Sequence, residues 1–413
     1  MKYGLIGETL SHSFSAQIHK ALSGEDYVLK EIRREQLAAF LQKRDFCAIN
    51  VTIPYKEEVI PFLDVIDERA KSIGAVNTVV NRGGKLFGYN TDYWGLRALI
   101  EKNKLSLAGK TVLILGSGGT SLTAQKVAED LGAAEVLRVS RGGGEGLITY
   151  PEAIARYSDA SVIINTTPVG MYPHCGEVPV ELAPFTALEA VFDAVYNPLR
   201  TALVLQAQAR GILAEGGLYM LTAQAVYASE YFLNKTYAPE VLEEGYRRQL
   251  LERENIVLTG MPGSGKTTVG KLLAASLGRD FVDTDALIVE REQREIAAIF
   301  AADGEAYFRN AESEVIAAIS QKAQGLVIAT GGGAVLRAEN VAHLKQNGKI
   351  YFLNRCLEDL IPTADRPLAA DTEALTRRFE ERFALYCRTA DKEIVIDADA
   401  AQIAARIRKD YTF

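Results

Sequence analysis

A complete phosphate-binding loop, Gly260-Met-Pro-Gly-Ser-Gly-Lys-Thr267, lies more than halfway along this chain of 413 residues, directly after the apolar run 255–259. The pattern G-x-x-x-x-G-K-[ST] constrains the local fold to a strand, a tight loop and a helix, here expected over 267–277. Its glycines turn backbone N–H groups inward at the helix N-terminus, where they cradle phosphate. Gly263, Ser264 and Gly265 form the cradle, Lys266 neutralises phosphate charge, Thr267 offers a hydroxyl to Mg²⁺, and Thr268 follows in the first turn. The loop predicts nucleotide binding. By itself it leaves kinase, GTPase and motor equally open.

The length predicts two or three domains, each with its own core. Charged residues make up 24% of the chain and the net charge is -7, which argues against nucleic acid or an anionic membrane as partner. No apolar run approaches the roughly 20 residues of a spanning helix. The stretch Met1-Lys-Tyr-Gly-Leu-Ile-Gly7 lacks the apolar segment and cleavage site of a secretory signal. Cys47, Cys175, Cys356 and Cys387 form no C-x-x-C pair, which predicts reduced thiols in a cytoplasmic protein.

The expected fold class is α/β throughout. Residues 1–100 alternate strands (3–6, 27–32, 48–53) with helices (16–22, 35–44, 92–102), and a hairpin at 78–89 turns at 82–85. A strand at 111–115 then runs into Gly116-Ser-Gly118-Gly119-Thr120, a helix at 122–131 and a strand at 135–139, with further strands at 161–165 and 191–195. That alternation predicts a doubly wound parallel sheet. The expected organisation is a substrate-binding lobe at 1–100, completed by helices at about 218–236. A Rossmann-like lobe follows at 101–217, then a charged, exposed helical linker at 237–253 and a P-loop α/β domain at 254–413.

Beyond the phosphate loop, Phe281-Val-Asp283-Thr-Asp285 ends a second strand candidate. Positions i and i+2 of a strand share a face, so both acids are expected to enter one cleft, although D-x-D is also common on surface loops. One acid would hold Mg²⁺ through water and the other would orient or deprotonate a hydroxyl. Tyr307-Phe308-Arg309, Thr330-Gly331-Gly332-Gly333, Asp365-Arg366-Pro367-Leu368 and Arg382-Phe-Ala-Leu-Tyr386 follow in order. With the loop, these motifs resemble shikimate kinase over residues 254–413. The resemblance implies ATP-dependent phosphorylation of shikimate, with Asp283 near Mg²⁺ and Asp285 on the reacting hydroxyl. Arg309 and Arg382 would hold the carboxylate, Gly331 to Gly333 would let backbone approach the substrate, and Arg366 would close over the transferring phosphoryl from a lid. Two departures stand out: residues 357–366 are short for that lid and lack the adenine-stacking arginine, and Ala384 replaces a proline.

The turn Gly116-Ser-Gly118-Gly119-Thr120 fits a dinucleotide site loosely, because Ser121 stands where a third glycine is usual, and a plain strand–helix connection is the alternative. The next strand ends in Ser140-Arg141, and a cation there suits a 2′-phosphate better than a free ribose hydroxyl. His12-Ser13-Phe-Ser15, Asn50-Val-Thr52-Ile-Pro-Tyr-Lys56, Gly74-Ala-Val-Asn77-Thr78 and Asn90-Thr-Asp92 precede it. Taken singly, Lys56 reads as a solvated helix residue, Asp92 as a helix cap and Asn77 as a turn residue.

Together with Asn165-Thr-Thr-Pro-Val-Gly-Met171, Asp193-Ala-Val-Tyr196-Asn-Pro198 and Met220-Leu-Thr-Ala-Gln224-Ala, they resemble shikimate dehydrogenase over residue 1 to about 236. That likeness implies NADPH-dependent reduction of 3-dehydroshikimate, with Lys56 and Asp92 as a paired acid–base unit. Ser13 and Ser15 would hold the carboxylate, while Thr52, Asn77, Tyr196 and Gln224 would bind carboxylate or ring hydroxyls. Phe14, Ala16 and Thr120 depart from the family, and quinate is the competing substrate.

The two resemblances combine into a bifunctional enzyme of the shikimate pathway, in which the first product is the second substrate. Its cofactors would be NADP(H), ATP and Mg²⁺, and its partners small molecules, not nucleic acid or membrane. A quinate-type dehydrogenase fused to a weakened kinase, and a ligand-sensing pseudoenzyme, are the alternatives.

Overall fold

The computed structural model describes residues 1–10, 13–321, 324–360 and 372–412. The chain divides into two compact units, Met1–Leu250 and Leu251–Phe413. The first unit holds two six-stranded sheets and the second a five-stranded one.

In the first sheet the strand order is Tyr27–Glu31, Tyr3–Gly7, Ala48–Val51, Thr78–Arg82, Lys85–Tyr89, Val65–Ile66. Its first three strands run parallel, and the hairpin 78–89 joins antiparallel to Ala48–Val51. Gly83 and Gly84 sit at φ 60° and 83°. Two successive positive φ values make the primed two-residue turn whose twist matches the strands it joins, and side chains with a Cβ resist that geometry. One face of this sheet buries Ile6, Ile49, Val79 and Leu86 beneath Leu37 and Leu41 of the helix Arg34–Lys43. The other face carries Tyr3, Leu5 and Val80 against Tyr231, Phe232 and Leu233, so the helix Leu218–Leu233 returns late in the chain to cover it.

All six strands of the second sheet are parallel, in the order Leu213–Glu215, Ala190–Asp193, Val162–Asn165, Thr111–Leu115, Glu135–Ser140, Leu147–Thr149. Numbered within this lobe, that is the dinucleotide-binding order read from its far edge, and the order in which strands are added reverses beside Thr111–Leu115. Both faces are covered, by Val112, Ile114 and Ile164 on one side and Leu113, Leu115 and Ile163 on the other. Near-continuous apolar strands are what two-sided burial requires. The helix expected from residue 122 begins earlier, at Gly119, because the glycine turn itself supplies its N-terminus.

At the end of this sheet, the buried Asp193 carboxylate accepts hydrogen bonds from Asn165 Nδ2 (2.9 Å), the Val195 N–H (2.9 Å) and the Thr201 hydroxyl (2.7 Å). Burial pushes its pKa up to about 7 from an ordinary 3.8, against the pull of those three donors. The folded chain therefore holds a proton that the unfolded chain has released between those values, and stability falls as pH rises through that window. Asp193→Asn is expected to flatten the slope of the first unit's thermal midpoint between about pH 4 and pH 7. An unchanged slope in the variant would assign it to other groups.

The third sheet is also wholly parallel, ordered Phe281–Asp283, Val327–Ala329, Asn255–Thr259, Gly348–Asn354, Lys392–Val395. Ile256 and Leu258 pack to one side, Val257 to the other, as strand alternation dictates. The helix Lys266–Leu277 starts directly from the phosphate loop. The charged segment expected to be an exposed linker does contain a helix, Glu240–Arg253, but Gln249 and Arg253 on it are buried. Among the described residues no helix is long and apolar enough to cross a membrane.

Candidate active sites

In the first unit, Lys56 follows the strand Ala48–Val51 in a turn, where the sequence suggested a helix start. Its neighbour Tyr55 anchors that turn, fully buried and donating its hydroxyl to the Ile32 carbonyl. Lys56 Nζ reaches Asp92 Oδ2 at 2.7 Å and Thr120 Oγ1 at 3.0 Å. Both charged side chains are nearly enclosed, 12% and 11% exposed, so water screens the pair little. Asp92 lies in the first turn of the helix Thr91–Lys102, where the helix dipole favours an anion. Asn90, not Asp92, caps that helix, its side-chain oxygen accepting the Tyr93 N–H at 3.1 Å. The amide of Asn90 donates to the Ala75 carbonyl (2.9 Å) and to Thr123 Oγ1 (3.0 Å), tying this helix start to the one beside the glycine turn.

Asn77 is buried, and its oxygen accepts from the Thr91 N–H at 2.7 Å and from the Thr91 and Thr78 hydroxyls. That oxygen serves the fold, which leaves the amide as the group with chemistry to offer. Thr52 is part-buried at the end of its strand, donating its N–H to the Ile6 carbonyl. Ser13 and Ser15 open the helix Ser15–Ser23, with Ser13 Oγ accepting the Ser15 N–H at 3.3 Å. Phe14 between them packs on Tyr196, ring centroids 5.1 Å apart, so the hydroxyl pair and Tyr196 share a neighbourhood. Gln224 is buried in the helix Leu218–Leu233 and donates to the Leu221 carbonyl.

Gly116 and Gly118 form the turn after Thr111–Leu115, and Gly118 is the N-cap of the helix Gly119–Asp130. Ser121, in the place of a third glycine, is fully buried and closes the turn by donating its hydroxyl to the Gly118 carbonyl at 2.7 Å. Ser140 Oγ donates to the Gly143 carbonyl at 3.2 Å, while Arg141 is exposed at the end of the next strand.

In the second unit, a cavity of about 430 Å³ is bounded by the phosphate loop, Asp283, Asp285, Arg309, Gly331 to Gly333 and Arg382. Gly263, Gly265 and Thr268 contribute directly to its wall, and Ser264 is buried behind it. Lys266 Nζ donates to the Gly260 and Met261 carbonyls at 2.8 and 2.9 Å. Thr267 Oγ1 donates to Asp283 Oδ2 at 2.8 Å. Among the described residues no three His, Cys, Asp or Glu side chains gather to hold a metal. A threonine–aspartate pair beside a phosphate cradle fits Mg²⁺, which keeps several waters and takes further oxygens from the nucleotide.

The strand-alternation argument for Asp283 and Asp285 does not hold. The strand stops at Asp283, which caps the helix Thr284–Glu292 by accepting the Asp285 N–H at 3.0 Å. The two acids line one cavity because a helix begins between them.

Arg309 is held by Glu312 at 2.8 Å and Glu305 at 3.1 Å. Burial opposes its charge, yet the Glu312 carboxylate keeps its pKa above the ordinary value. Glu312 itself is fully buried, and desolvation raises its pKa despite Arg309. Arg382 and Tyr386, one turn apart on the helix Thr372–Thr389, both donate to the Gly332 carbonyl, Arg382 Nη1 at 3.2 Å. Ala384 between them suits the helix interior. A Cβ on Gly331 would stand 2.5 Å from Asp285 Oδ1, and one on Gly333 2.1 Å from Arg309 Nη1. These glycines thus first make room for the acid and the arginine beside them. Arg366 lies outside the described residues, as does the part of the expected lid segment 357–366 from residue 361 onward.

The sequence reading missed Glu312, Arg355 and Arg378, all on the cavity wall. Arg355 ends the Gly348–Asn354 strand, just before the segment searched for an arginine, and points Nη1 at the Gly263 carbonyl at 3.5 Å. Spacing held the signal for the other two: Glu312 is three residues after Arg309, and Arg378 four before Arg382.

By fold and site, the first unit is a dinucleotide-dependent oxidoreductase and the second a P-loop phosphotransferase. Residues 5–79 match the family model of the shikimate dehydrogenase substrate binding domain, and residues 262–412 match that of shikimate kinase. The chain is 34% identical over 264 residues to shikimate dehydrogenase (NADP(+)) of Clostridium perfringens, covering 59% of this chain and 97% of that one. It is similar to the crystal structure of shikimate dehydrogenase 1 from Peptoclostridium difficile, at 35% identity and TM-score 0.57, over 61% of this chain and 99% of that one. It is also similar, at 29% identity and TM-score 0.54, to the Thermus thermophilus enzyme solved with NADP(H) and shikimate, over 60% of this chain and 99% of that one. The chain belongs to the shikimate dehydrogenase family and carries a shikimate kinase domain after it.

Proposed function

We propose that the two units catalyse consecutive steps: NADPH-dependent reduction of 3-dehydroshikimate to shikimate, then Mg-ATP-dependent phosphorylation of shikimate to shikimate 3-phosphate. The observation that carries the reading is the cavity in which a phosphate loop, an Asp283–Thr267 pair and two buried arginines share one wall. Such a pocket takes a small acid beside a transferable phosphoryl group.

In the reductase half, residues 1–100 with 218–236 would hold the substrate and 101–217 the nucleotide, with Arg141 facing the 2′-phosphate. NADPH supplies hydride to the ring ketone. Lys56 and Asp92, in contact at 2.7 Å, would supply the proton and the charge that the forming alkoxide needs. Ser13, Ser15, Thr52, Asn77, Tyr196 and Gln224 would grip carboxylate and hydroxyls.

In the kinase half, residues 254–413, the loop 263–268 would hold the nucleotide, and Thr267 with Asp283 the magnesium. Asp285 would orient and deprotonate the attacking hydroxyl, Arg309 and Arg382 would fix the carboxylate, and Arg366 would meet the phosphoryl group. Residues 237–253 would join the halves, and the free thiols of all four cysteines suit a reducing cytoplasm. The assembled Lys56–Asp92 pair and cavity disfavour a ligand-sensing pseudoenzyme.

The test is one incubation with 3-dehydroshikimate, NADPH and Mg-ATP, following NADPH oxidation and shikimate 3-phosphate. Loss of both signals would overturn the bifunctional reading. Faster turnover of quinate with NADP⁺ than of shikimate would move the first half to the quinate alternative.

A further inference from the structure

The substrate end of the kinase cavity holds more positive charge than its acids balance. Arg309 is matched by Glu312 and Glu305. Arg382 is only 5% exposed and meets backbone, the Gly332 carbonyl, while its Nε is buried without a partner among the described residues. Arg378 lines the same cavity, and its Nη1 is likewise buried and unpartnered. The acids nearest to it, Glu305 and Glu381, are both exposed to solvent.

Arg378 and Arg382 stand four residues apart on the helix Thr372–Thr389, one above the other on a single face. Like charges at that spacing destabilise a helix, and one buried and one partly buried guanidinium do so more than solvated ones. Burial and the Arg382 charge both depress the Arg378 pKa, which is the same conflict expressed as proton affinity. An anion between the two forks removes it, and each buried N–H then gains an acceptor.

We propose that Arg378 is a further carboxylate-binding residue of the kinase half, gripping the acid group of the substrate together with Arg382 from successive turns of one helix. This rests on the kinase reading above. The class of substrate it selects is a hydroxylated ring that bears a carboxylate, as against the same ring with a neutral substituent. Arg309 can still reach the carboxylate, but its charge is offset by Glu312 on its own helix, so Arg378 supplies the net charge that the Arg309–Glu312 pair lacks.

The experiment compares full-length wild type, Arg378→Leu and Arg378→Lys, with shikimate and with its primary carboxamide as phosphoryl acceptors. Arg378→Leu is expected to raise KM for shikimate about 10- to 100-fold, the worth of a charge-assisted hydrogen bond, without raising KM for ATP. KM for the carboxamide stays at its wild-type value, and Arg378→Lys, with charge but no fork, falls between. Without substrate, the leucine variant unfolds no earlier than wild type, because its loss relieves repulsion. An unchanged KM for shikimate, or an equal rise for acid and amide, overturns the proposal. A wild type that phosphorylates neither acceptor overturns the kinase reading itself, and this inference with it. The reductase rate of each variant reports that the chain is intact.

Discussion

Lys56→Ala is expected to lower kcat for 3-dehydroshikimate reduction by ~10²–10⁴-fold, the usual worth of a positioned acid–base group. Shikimate phosphorylation by the same protein should be untouched. The size of the effect follows from enclosure: Lys56 Nζ is the cation 2.7 Å from Asp92, with both side chains nearly shielded from water. On the proposed function, its removal takes away the proton donor and leaves a carboxylate beside a forming alkoxide, where like charge raises the barrier. The same change also costs stability, because Asp92 loses its partner. Rates therefore need comparing at temperatures where the variant is folded, as judged by its intact kinase activity and its own unfolding curve. Reduction at the wild-type rate would remove Lys56 from the chemistry.

Lys266→Ala is the counterpart in the second unit, with an expected loss of ~10²–10³-fold or more in phosphorylation and no change in reduction. In the structure Lys266 is folded onto the Gly260 and Met261 carbonyls. Those contacts preorganise the loop, and the lysine charge is held close to where phosphate charge collects. The variant thus loses both a counter-charge and a brace, so ATP binding and kcat should fall together. A variant that keeps kcat and only raises KM for ATP would make Lys266 a binding group alone. If either alanine change abolished both activities on separately supplied substrates, the two sites would not be independent.

The parts of the fold legible in the sequence were those encoded locally. The phosphate loop, the hairpin at Gly83-Gly84 and the glycine turn after Thr111–Leu115 each combine a backbone demand with the residue type that meets it. The doubly wound sheet was legible because strands buried on both faces read as continuous apolar runs. Boundaries drifted where side chains took over from periodicity. Asp283 ends its strand by capping a helix, so strand alternation misplaced Asp285, and Tyr55 fixes Lys56 in a turn where a helix seemed due.

Site residues were legible where a motif gathers them within a few positions, as at Asn50–Lys56 or Gly331–Gly333. Glu312 and Arg378 escaped because their only signal is helical spacing from Arg309 and Arg382, which no motif marks. Each gains its role from a helix face that becomes significant only after the cavity is seen. Asn90 shows the reverse: Asn90-Thr-Asp92 is visible as a motif, but its work as cap and cross-brace needs the Thr123 and Ala75 partners brought to it by the fold.

The 3.0 Å contact between Lys56 and the Thr120 hydroxyl has a kinetic consequence. Thr120 belongs to the first turn of the helix Gly119–Asp130, so on the proposed function the proton donor for one ligand leans on the seat of the other. A nucleotide that engages the Thr120 hydroxyl shifts the lysine wholly toward Asp92, and a substrate that draws the lysine forward frees that hydroxyl. By reciprocity, whatever factor one ligand imposes on the affinity of the other is returned in full. Exchanging Thr120 for alanine removes the one hydroxyl through which the two ligands would meet, and is expected to weaken the dependence of each ligand's affinity on the other.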